Sequence, residues 1–383
     1  MLKQTKIITS LITMALIATQ LQAGFLNFDG EYGIRVQTDK YGSNDSSVMI
    51  GNELELSGSK RLQDGFTVNY GIATGEIRTD EETGEIITNR RSKTAESIIN
   101  KGFSLNLREL NLSYAPVDGL TITAGRQESA LTAYSSIVAD KDLTYDAVTV
   151  EYDKTVGNGI NLGAKFMYST LETSFVSVAG DNTKTEGENL IGFEVNADYD
   201  INADVSVGGY VTMLQTNNRP VVAERAAAAE DDPATPDVDE TVAAIGKDDL
   251  QNTVFGLNVD YNTTAVGTVT GYVEMNKNNN SAFDKAPEAL AYGVVVGDKN
   301  VQGLGSWKVG LELRETDINS TVDILEDNYY TIWDNELNST TFVAEAGISA
   351  KSSFKFRYID SESVAGETKT DLETMTFEII TKF

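Results

Sequence analysis

Four basic residues, Arg35, Lys165, Arg314 and Arg357, fall on the polar side of segments in which apolar and polar residues alternate. Glu109 falls on the polar side of another such segment. A period of two is typical of β-strands with one apolar face, shielded from water, and one polar face. If the polar face lined a water-filled space, rings of basic groups would attract anions and rings of carboxylates would attract cations. The chemistry indicated is the selection of ions by charge.

Carboxylates outnumber the basic side chains on these polar faces. The acidic positions are Asp29, Glu31, Glu53, Glu55, Glu109, Glu151, Glu194, Asp198, Asp260, Glu274, Glu312, Glu345 and Glu378. The basic positions are Arg35, Lys165, Lys308, Arg314, Lys355 and Arg357. Such an excess predicts a negative potential and a modest preference for cations. The alternative is that each charge only solvates a wide wall or pairs across strands.

The composition excludes several other kinds of chemistry. The chain of 383 residues contains no cysteine and no histidine, so it has no thiol nucleophile, disulfide, imidazole base or imidazole metal ligand. Its 30 Lys+Arg stand against 58 Asp+Glu, a formal charge of −28, which argues against nucleic acid as a partner. No nucleotide-binding loop or dinucleotide fingerprint is present, and we expect no cofactor and no enzymatic activity.

The elements that would position these side chains are about sixteen β-strands. They are predicted at 26–37, 48–58, 66–76, 103–115, 120–128, 144–153, 160–170, 188–199, 205–216, 251–262, 268–277, 289–297, 306–317, 339–349, 353–361 and 371–383. A soluble sandwich would also alternate, but here short turns and long loops alternate too, which favours an outer-membrane barrel with periplasmic turns and extracellular loops. The predicted fold class is an all-β, antiparallel transmembrane barrel, with fourteen or eighteen strands as alternatives.

The first 23 residues are typical of a secretory signal peptide. Lys3 and Lys6 precede an apolar stretch from Ile7 to Ala18, and Ala23 suits the last position before cleavage. The alternative is an N-terminal membrane anchor, for which the stretch is short and interrupted by Ser and Thr. Residues 24–383 would then form a single barrel domain with both termini in the periplasm of a Gram-negative cell.

The chain ends in Phe383, after a strand in which Phe377, Ile379 and Thr381 alternate with polar residues. A terminal aromatic after an alternating strand resembles the signal that outer-membrane barrels present to the barrel-assembly machinery. The alternative is an ordinary edge strand that ends in Phe. With the signal peptide and the loop pattern, the first interpretation is favoured.

The segment Leu110–Gln127, LNLSYAPVDGLTITAGRQ, resembles the hairpin of strands four and five in the general porins of Gram-negative outer membranes. In that family a Gly-Arg pair, here Gly125-Arg126, ends the fifth strand just before a long third loop. Tyr145–Tyr152 is similar to the sixth strand. The motif is confined to this region, whereas the strand pattern extends over the whole chain after residue 23.

The resemblance implies a homotrimer of 16-stranded barrels, and a third loop that folds into the lumen and sets acidic residues against a ladder of basic wall residues. That loop would be 129–143, with Asp140 and Asp142 near its end. Arg126 joins the lumenal basic set by resemblance, although strict alternation would turn it outward. The register near Arg108 is ambiguous. The Pro-Glu-Phe-Gly-Gly sequence of some members is absent.

The leading hypothesis is an outer-membrane porin, surrounded by lipid and lipopolysaccharide, that passes ions and small hydrophilic solutes by passive diffusion. A substrate-selective channel is the alternative, and a structural or adhesive barrel is a weaker one. The acidic loop 217–250 is either a divalent-cation site or a solvated surface loop, and its spacing matches no EF-hand.

Overall fold

The structure is a computed structural model of the whole chain. It describes residues 28–42, 47–62, 64–75, 78–79, 86–88, 104–135, 144–157, 159–171, 188–222, 244–280, 285–317, 320, 336–365 and 368–383. Within these ranges no helix is long and apolar enough to cross a membrane. The predicted signal peptide, residues 1–23, lies outside the described residues.

The described chain is built of β-strands. Those of the first half are β1 (Asp29–Tyr41), β2 (Ser47–Arg61), β3 (Phe66–Gly75), β4 (Arg78–Thr79), β5 (Ile86–Thr88), β6 (Ser104–Val117), β7 (Leu120–Glu128), β8 (Thr144–Val156), β9 (Ile160–Leu171) and β10 (Glu188–Asp200). Those of the second half are β11 (Val205–Val222), β12 (Ala244–Thr263), β13 (Gly267–Asn278), β14 (Glu288–Gly297), β15 (Trp307–Thr316), β16 (Glu336–Gly347), β17 (Ser352–Ala365) and β18 (Thr368–Lys382).

Sixteen of these strands form one closed antiparallel barrel, and β4 and β5 form a separate two-stranded sheet. Each barrel strand pairs with its neighbour in sequence, except that β3 pairs with β6 across the small sheet. The barrel closes because β1 pairs with both β2 and β18. The predicted fold class and all sixteen predicted strands are confirmed, with boundaries shifted by a few residues at most of their ends.

The two faces of each strand differ as the alternation predicts. On β10 the outward Phe193 and Val195 are 47% and 50% exposed, whereas Glu194 between them is fully buried in the lumen. Other exposed outward residues form an apolar belt around the barrel: Leu110, Tyr152, Phe166, Tyr168, Tyr199, Phe255, Tyr261, Trp307, Leu311, Phe354 and Phe377. Because a closed barrel satisfies its backbone groups internally, this belt can face hydrocarbon without exposing unpaired amides.

Connections are short at the end of the barrel that holds the described termini. The turn between β2 and β3 uses Asp64 and Gly65 at φ of 58° and 82°, a backbone conformation that favours these residue types. At the other end, β17 and β18 pair as far as Ala365 and Thr368. The interval 362–370 between the last two predicted strands, which was expected to be a long loop, therefore consists largely of paired strand. The strands β11 and β12 likewise extend into the predicted loop 217–250, whose acidic centre lies outside the described residues.

The seam of the barrel is closed by the last residue. The amide of Gly30 donates to the carbonyl of Phe383 at 3.1 Å, and the amide of Phe383 donates to the carbonyl of Gly30 at 2.9 Å. The Phe383 ring lies where a side chain on residue 30 would be. Phe383 therefore completes the sheet, and its recognition by an assembly machinery stays a prediction.

Candidate permeation pathway

The segment that follows β7 turns into the lumen and is held there by Glu194 of β10. The amide of Thr132 donates to Glu194 Oε2 at 2.7 Å, and the Thr132 hydroxyl donates to Oε1 at 2.6 Å. Thr212 and Asn196 donate to the same carboxylate at 2.9 and 3.0 Å. Lys165 pairs with Glu194 at 3.1 Å and donates to Thr132 at 2.9 Å. Glu194 is thus a fully satisfied anchor for the loop.

A second anchor, Glu274 of β13, holds the next residues of the loop. The amides of Tyr134 and Ser135 donate to its two carboxylate oxygens at 2.6 and 2.8 Å. The hydroxyls of Ser135 and Tyr210 also donate to Glu274. Hydrogen bonds to a charged group contribute about 1.5–3 kcal/mol each. Two backbone amides aimed at one carboxylate fix the position of the main chain as well as of the side chains.

Apolar contacts support the same segment. Leu131 is buried in a cluster with inward-facing residues of the wall, which include Met167, Leu190, Leu214 and Val254. Leu131 also lies over Gly192, where a Cβ would be within 3.1 Å of it. These apolar residues lie at inward positions, where the strands of a water-filled barrel normally carry polar residues. The loop therefore covers a dry patch of the wall between the two glutamate anchors.

Tyr134 extends from the loop toward the wall beyond the anchors. Its ring packs edge-on against Tyr210, with ring centroids 5.2 Å apart. Burial, and then the negative charges of Asp198 and Glu274, raise the pKa of Tyr134 far above its usual range. The Tyr134 hydroxyl therefore stays protonated at any pH at which the barrel would function.

A row of alternating charge crosses the strands on the far side of the barrel. In the pairing register Lys308 faces Glu345, Glu345 faces Lys355, Lys355 faces Glu378, and Glu378 faces Arg35. Lys308 lies 3.1 Å from Glu345, and Arg35 lies 3.3 Å from Glu378. The basic residues of this row are thus interleaved with carboxylates.

The four basic residues identified by alternation all face the lumen. Arg35 of β1 and Arg357 of β17, on either side of β18, line one small cavity with Lys355, Thr376 and Glu378. Arg314 of β15 is 2% exposed and lies 3.5 Å from Glu312. Lys165 is at the Glu194 anchor. Their orientation follows the sequence pattern, whereas their part in a constriction stays a prediction.

Glu109 faces the lumen next to a β-bulge. The register of β3 against β6 shifts between Gly71 and Ile72, which brings Arg108 to the inner face beside Glu109. Arg108 is 5% exposed and pairs with Glu55 and Glu128. Glu109 accepts a hydrogen bond from Asn111 at 2.9 Å. The bulge explains why alternation left Arg108 ambiguous.

The expected lumenal placement of Arg126 is wrong. Arg126 pairs in register with Leu110 and Asp146, and Leu110 is 50% exposed on the outer face. Its Nε and Nη2 donate to the two Asp146 carboxylate oxygens at 2.9 and 2.6 Å. Strand β7 keeps regular alternation up to this point, so Gln127 faces inward and Arg126 outward. The bidentate pair compensates the charge on that face.

Replacing Arg126 by glutamine is expected to leave single-channel conductance unchanged. The loss of two charge-assisted hydrogen bonds should lower the free energy of unfolding by about 1–3 kcal/mol, because Asp146 loses its partner on the outer face. Recording in planar bilayers and urea unfolding in vesicles would measure the two effects. Asp146→Asn is the matched variant and should behave alike. A clear change in conductance with Arg126→Gln would contradict the outward placement.

Asp140 and Asp142, the predicted acidic residues of the loop, lie outside the described residues. The described part of the loop ends at Ser135, and its hydrogen bonds to the two glutamate anchors come from Thr132, Tyr134 and Ser135. These three residues were not singled out from the sequence. Short polar residues in a connecting segment carry no pattern of their own, and only the placement of Glu194 and Glu274 opposite them shows what they bind.

A second segment also reaches inward. The carbonyl of Ser320, which follows β15, accepts a hydrogen bond from Asn252 of β12 at 2.7 Å. Asn252 in turn donates to Asn276 of β13 at 2.8 Å. Ser320 and Asn252 are both buried. Ser320 therefore lies against the inner face of β12.

Comparison with solved structures finds barrels of the same architecture. The high-pH structure of OprB from Pseudomonas putida superposes with a TM-score of 0.60, at 11% identity, over 95% of this chain and 96% of that chain. An anion-selective porin from Comamonas acidovorans gives 0.52 at 13% identity, over 94% and 99%. The channel DcaP of Acinetobacter baumannii gives 0.51 at 11% identity, over 94% and 98%. No family model and no curated protein matches the sequence. The chain has the fold of these 16-stranded outer-membrane porin barrels.

Proposed function

We propose that the protein is a porin of the Gram-negative outer membrane that passes ions and small hydrophilic solutes by passive diffusion, with a preference for cations. The observation that carries the proposal is the loop 129–135, which is held inside a closed barrel by Glu194 and Glu274. A loop segment held against the inner wall would narrow the lumen without the need for a separate domain. The belt of outward apolar residues fits a barrel surrounded by lipid.

The arrangement of charge supports the cation preference. Most inward basic residues are held by carboxylates, as Arg35, Lys308 and Lys165 are. By contrast, Glu151 and Asp198 face the lumen and form no ion pair within the described part of the chain. This uncompensated negative charge lies on the wall beside the loop, and it would concentrate cations there.

A substrate-selective channel is the second candidate, favoured by the contact between Ser320 and Asn252. Two segments that enter the lumen would make a narrower, more structured passage than one. A structural or adhesive role is not favoured by either feature. Within the proposal, the barrel would form a homotrimer, contact lipopolysaccharide in the outer leaflet and place both termini in the periplasm.

Planar-bilayer recording of the purified barrel tests the proposal. We expect ohmic steps of one main size, because the loop is fixed by charge-assisted bonds rather than free to move. In a KCl gradient the more dilute side should become positive, as cation flow predicts. A silent barrel would refute the porin function, and the opposite sign of the potential would refute the cation preference alone. A flux that saturates as the concentration of one class of solute rises would favour the substrate-selective channel.

A further inference from the structure

The inner wall beside the loop carries the same three-residue row twice. In the register of β8, β9 and β10, Asp153 and Asn196 flank Gly163. In the register of β10, β11 and β12, Asp198 and Asn258 flank Gly208. Each row thus places a carboxylate and an amide on either side of a glycine. The two rows share β10, on which Asn196 and Asp198 are successive inward residues.

In both rows the two side-chain oxygens converge over the glycine. A Cβ on Gly163 would collide with Oδ1 of Asn196 and of Asp153, and a Cβ on Gly208 would collide with Oδ1 of Asp198 and of Asn258. The Tyr134 hydroxyl lies 3.2 Å from the same point at Gly208. Because glycine has no side chain, the two oxygens of each row occupy the space over it and lie close to one another.

The orientation of the Asn196 side-chain amide beside Gly163 is fixed by a neighbouring hydrogen bond. Asn196 Nδ2 donates to Glu194 Oε1 at 3.0 Å, so its Oδ1 must point toward Asp153. Two acceptors facing one another repel unless a donor or a cation lies between them. At the second row, the Asn258 oxygen is buried and no described residue donates a hydrogen bond to it. Both rows therefore leave acceptors that protein groups do not satisfy.

The nearest basic groups are already engaged. Lys165 is paired with Glu194, and Lys299 is paired with Asp260 at 2.7 Å. No described basic side chain forms an ion pair with Asp153 or Asp198. The space over each glycine thus combines carboxylate and amide oxygens, which are ligands that hard cations such as Ca²⁺ prefer.

We propose that the two Asp-Gly-Asn rows are successive cation-binding subsites in the lumen, at which a hard cation exchanges part of its hydration shell for wall oxygens. With one carboxylate each, the subsites would bind weakly and release readily, as conduction requires. Tyr134 places the described part of the loop against the second row, so a cation passing this part of the loop would meet the row. The proposal rests on the proposed porin function and names the part of the wall that carries the cation preference.

The test is block of the potassium current by Ca²⁺ in planar bilayers. Ca²⁺ at about 1 mM, the range of weak oxygen sites, should reduce the single-channel current of the unaltered barrel. The double variant Asp153→Asn, Asp198→Asn should weaken the block by about tenfold or more, because affinity follows the number of charged ligands. Glu151→Gln, which removes a carboxylate from the same wall but outside both rows, should keep the block.

A variant without a change of charge separates the subsites from the general field of the wall. Gly163→Ala with Gly208→Ala pushes the oxygens of both rows away from these positions and should abolish Ca²⁺ block while the reversal potential in KCl keeps its sign. Terbium luminescence in detergent, sensitised by tyrosine, would report binding without conduction. Equal block in all variants, or no terbium signal, would overturn the subsites alone. A silent barrel that binds terbium would overturn the porin function and leave the subsites standing.

Discussion

The double variant Glu194→Gln, Glu274→Gln is expected to release the loop from the wall and to change the current of the channel more than any other pair of substitutions in the lumen. Glutamine keeps the size of each side chain but removes the charge and turns one acceptor into a donor. At Glu274, the amides of Tyr134 and Ser135 would lose the carboxylate to which both donate. Each lost bond costs about 1.5–3 kcal/mol. Because several bonds are weakened at both anchors, the loop should detach from the wall.

We expect larger conductance, rapid current noise and a weaker dependence of the current on solute size. Single-channel recording and polymer-exclusion measurements would detect all three. Glu345→Gln is the matched control, because it removes a lumenal carboxylate paired with Lys308 on the far wall and leaves the loop untouched. Conductance equal to that of the control would show that the loop is held by its apolar contacts, chiefly Leu131, and not by the glutamates.

Gly125→Ala is expected to damage the sheet severely. Gly125 has φ of 123°, which side chains rarely adopt, at a cost of about 1–3 kcal/mol. A Cβ there would also overlap the backbone oxygen of Leu110 and lie 2.9 Å from the Asn111 Cα. Because the obstacle is backbone of the paired strand, it cannot turn aside as a side chain could.

The yield of folded barrel should fall sharply, and the remaining protein should unfold at lower urea concentration. Folding into vesicles, followed by the change in gel mobility on heating, would measure the yield. Gly271→Ala is the control within the same sheet, because a Cβ at Gly271 meets nothing within 4 Å. Normal folding of Gly125→Ala would mean that β6 and β7 can part locally without opening the barrel.

Much of the fold could be predicted from the sequence because strand alternation is a local property. In a strand, adjacent residues lie on opposite faces and residues two positions apart lie on the same face. Phe193 and Glu194 could therefore be assigned to the outer and inner faces without knowing which strands lie next to them. The sixteen strands and the inward direction of Arg35, Lys165, Arg314 and Arg357 follow in this way. The prediction fails at Arg126, where the family resemblance was preferred to alternation and alternation was correct.

The site itself could be predicted only in part. The loop 129–143 was located by resemblance, but nothing in Thr132 or Ser135 indicates which wall residue each would bind. Their partners lie 62 and 139 residues away along the chain. The sequence pattern groups the inward carboxylates together, although Glu194 and Glu274 bind the loop and Glu151 and Asp198 do not.

The class of the molecule follows from the sequence alone, through alternating strands, short turns against long loops, and an excess of carboxylate on the polar faces. These features depend on local backbone preference and on which face each side chain takes. How the carboxylates divide between holding the loop, pairing with basic residues and facing the two glycines is visible only in the folded barrel. That division depends on strand register and closure of the barrel, which bring together Asp198, Gly208 and Asn258 from three strands, and no local pattern encodes it.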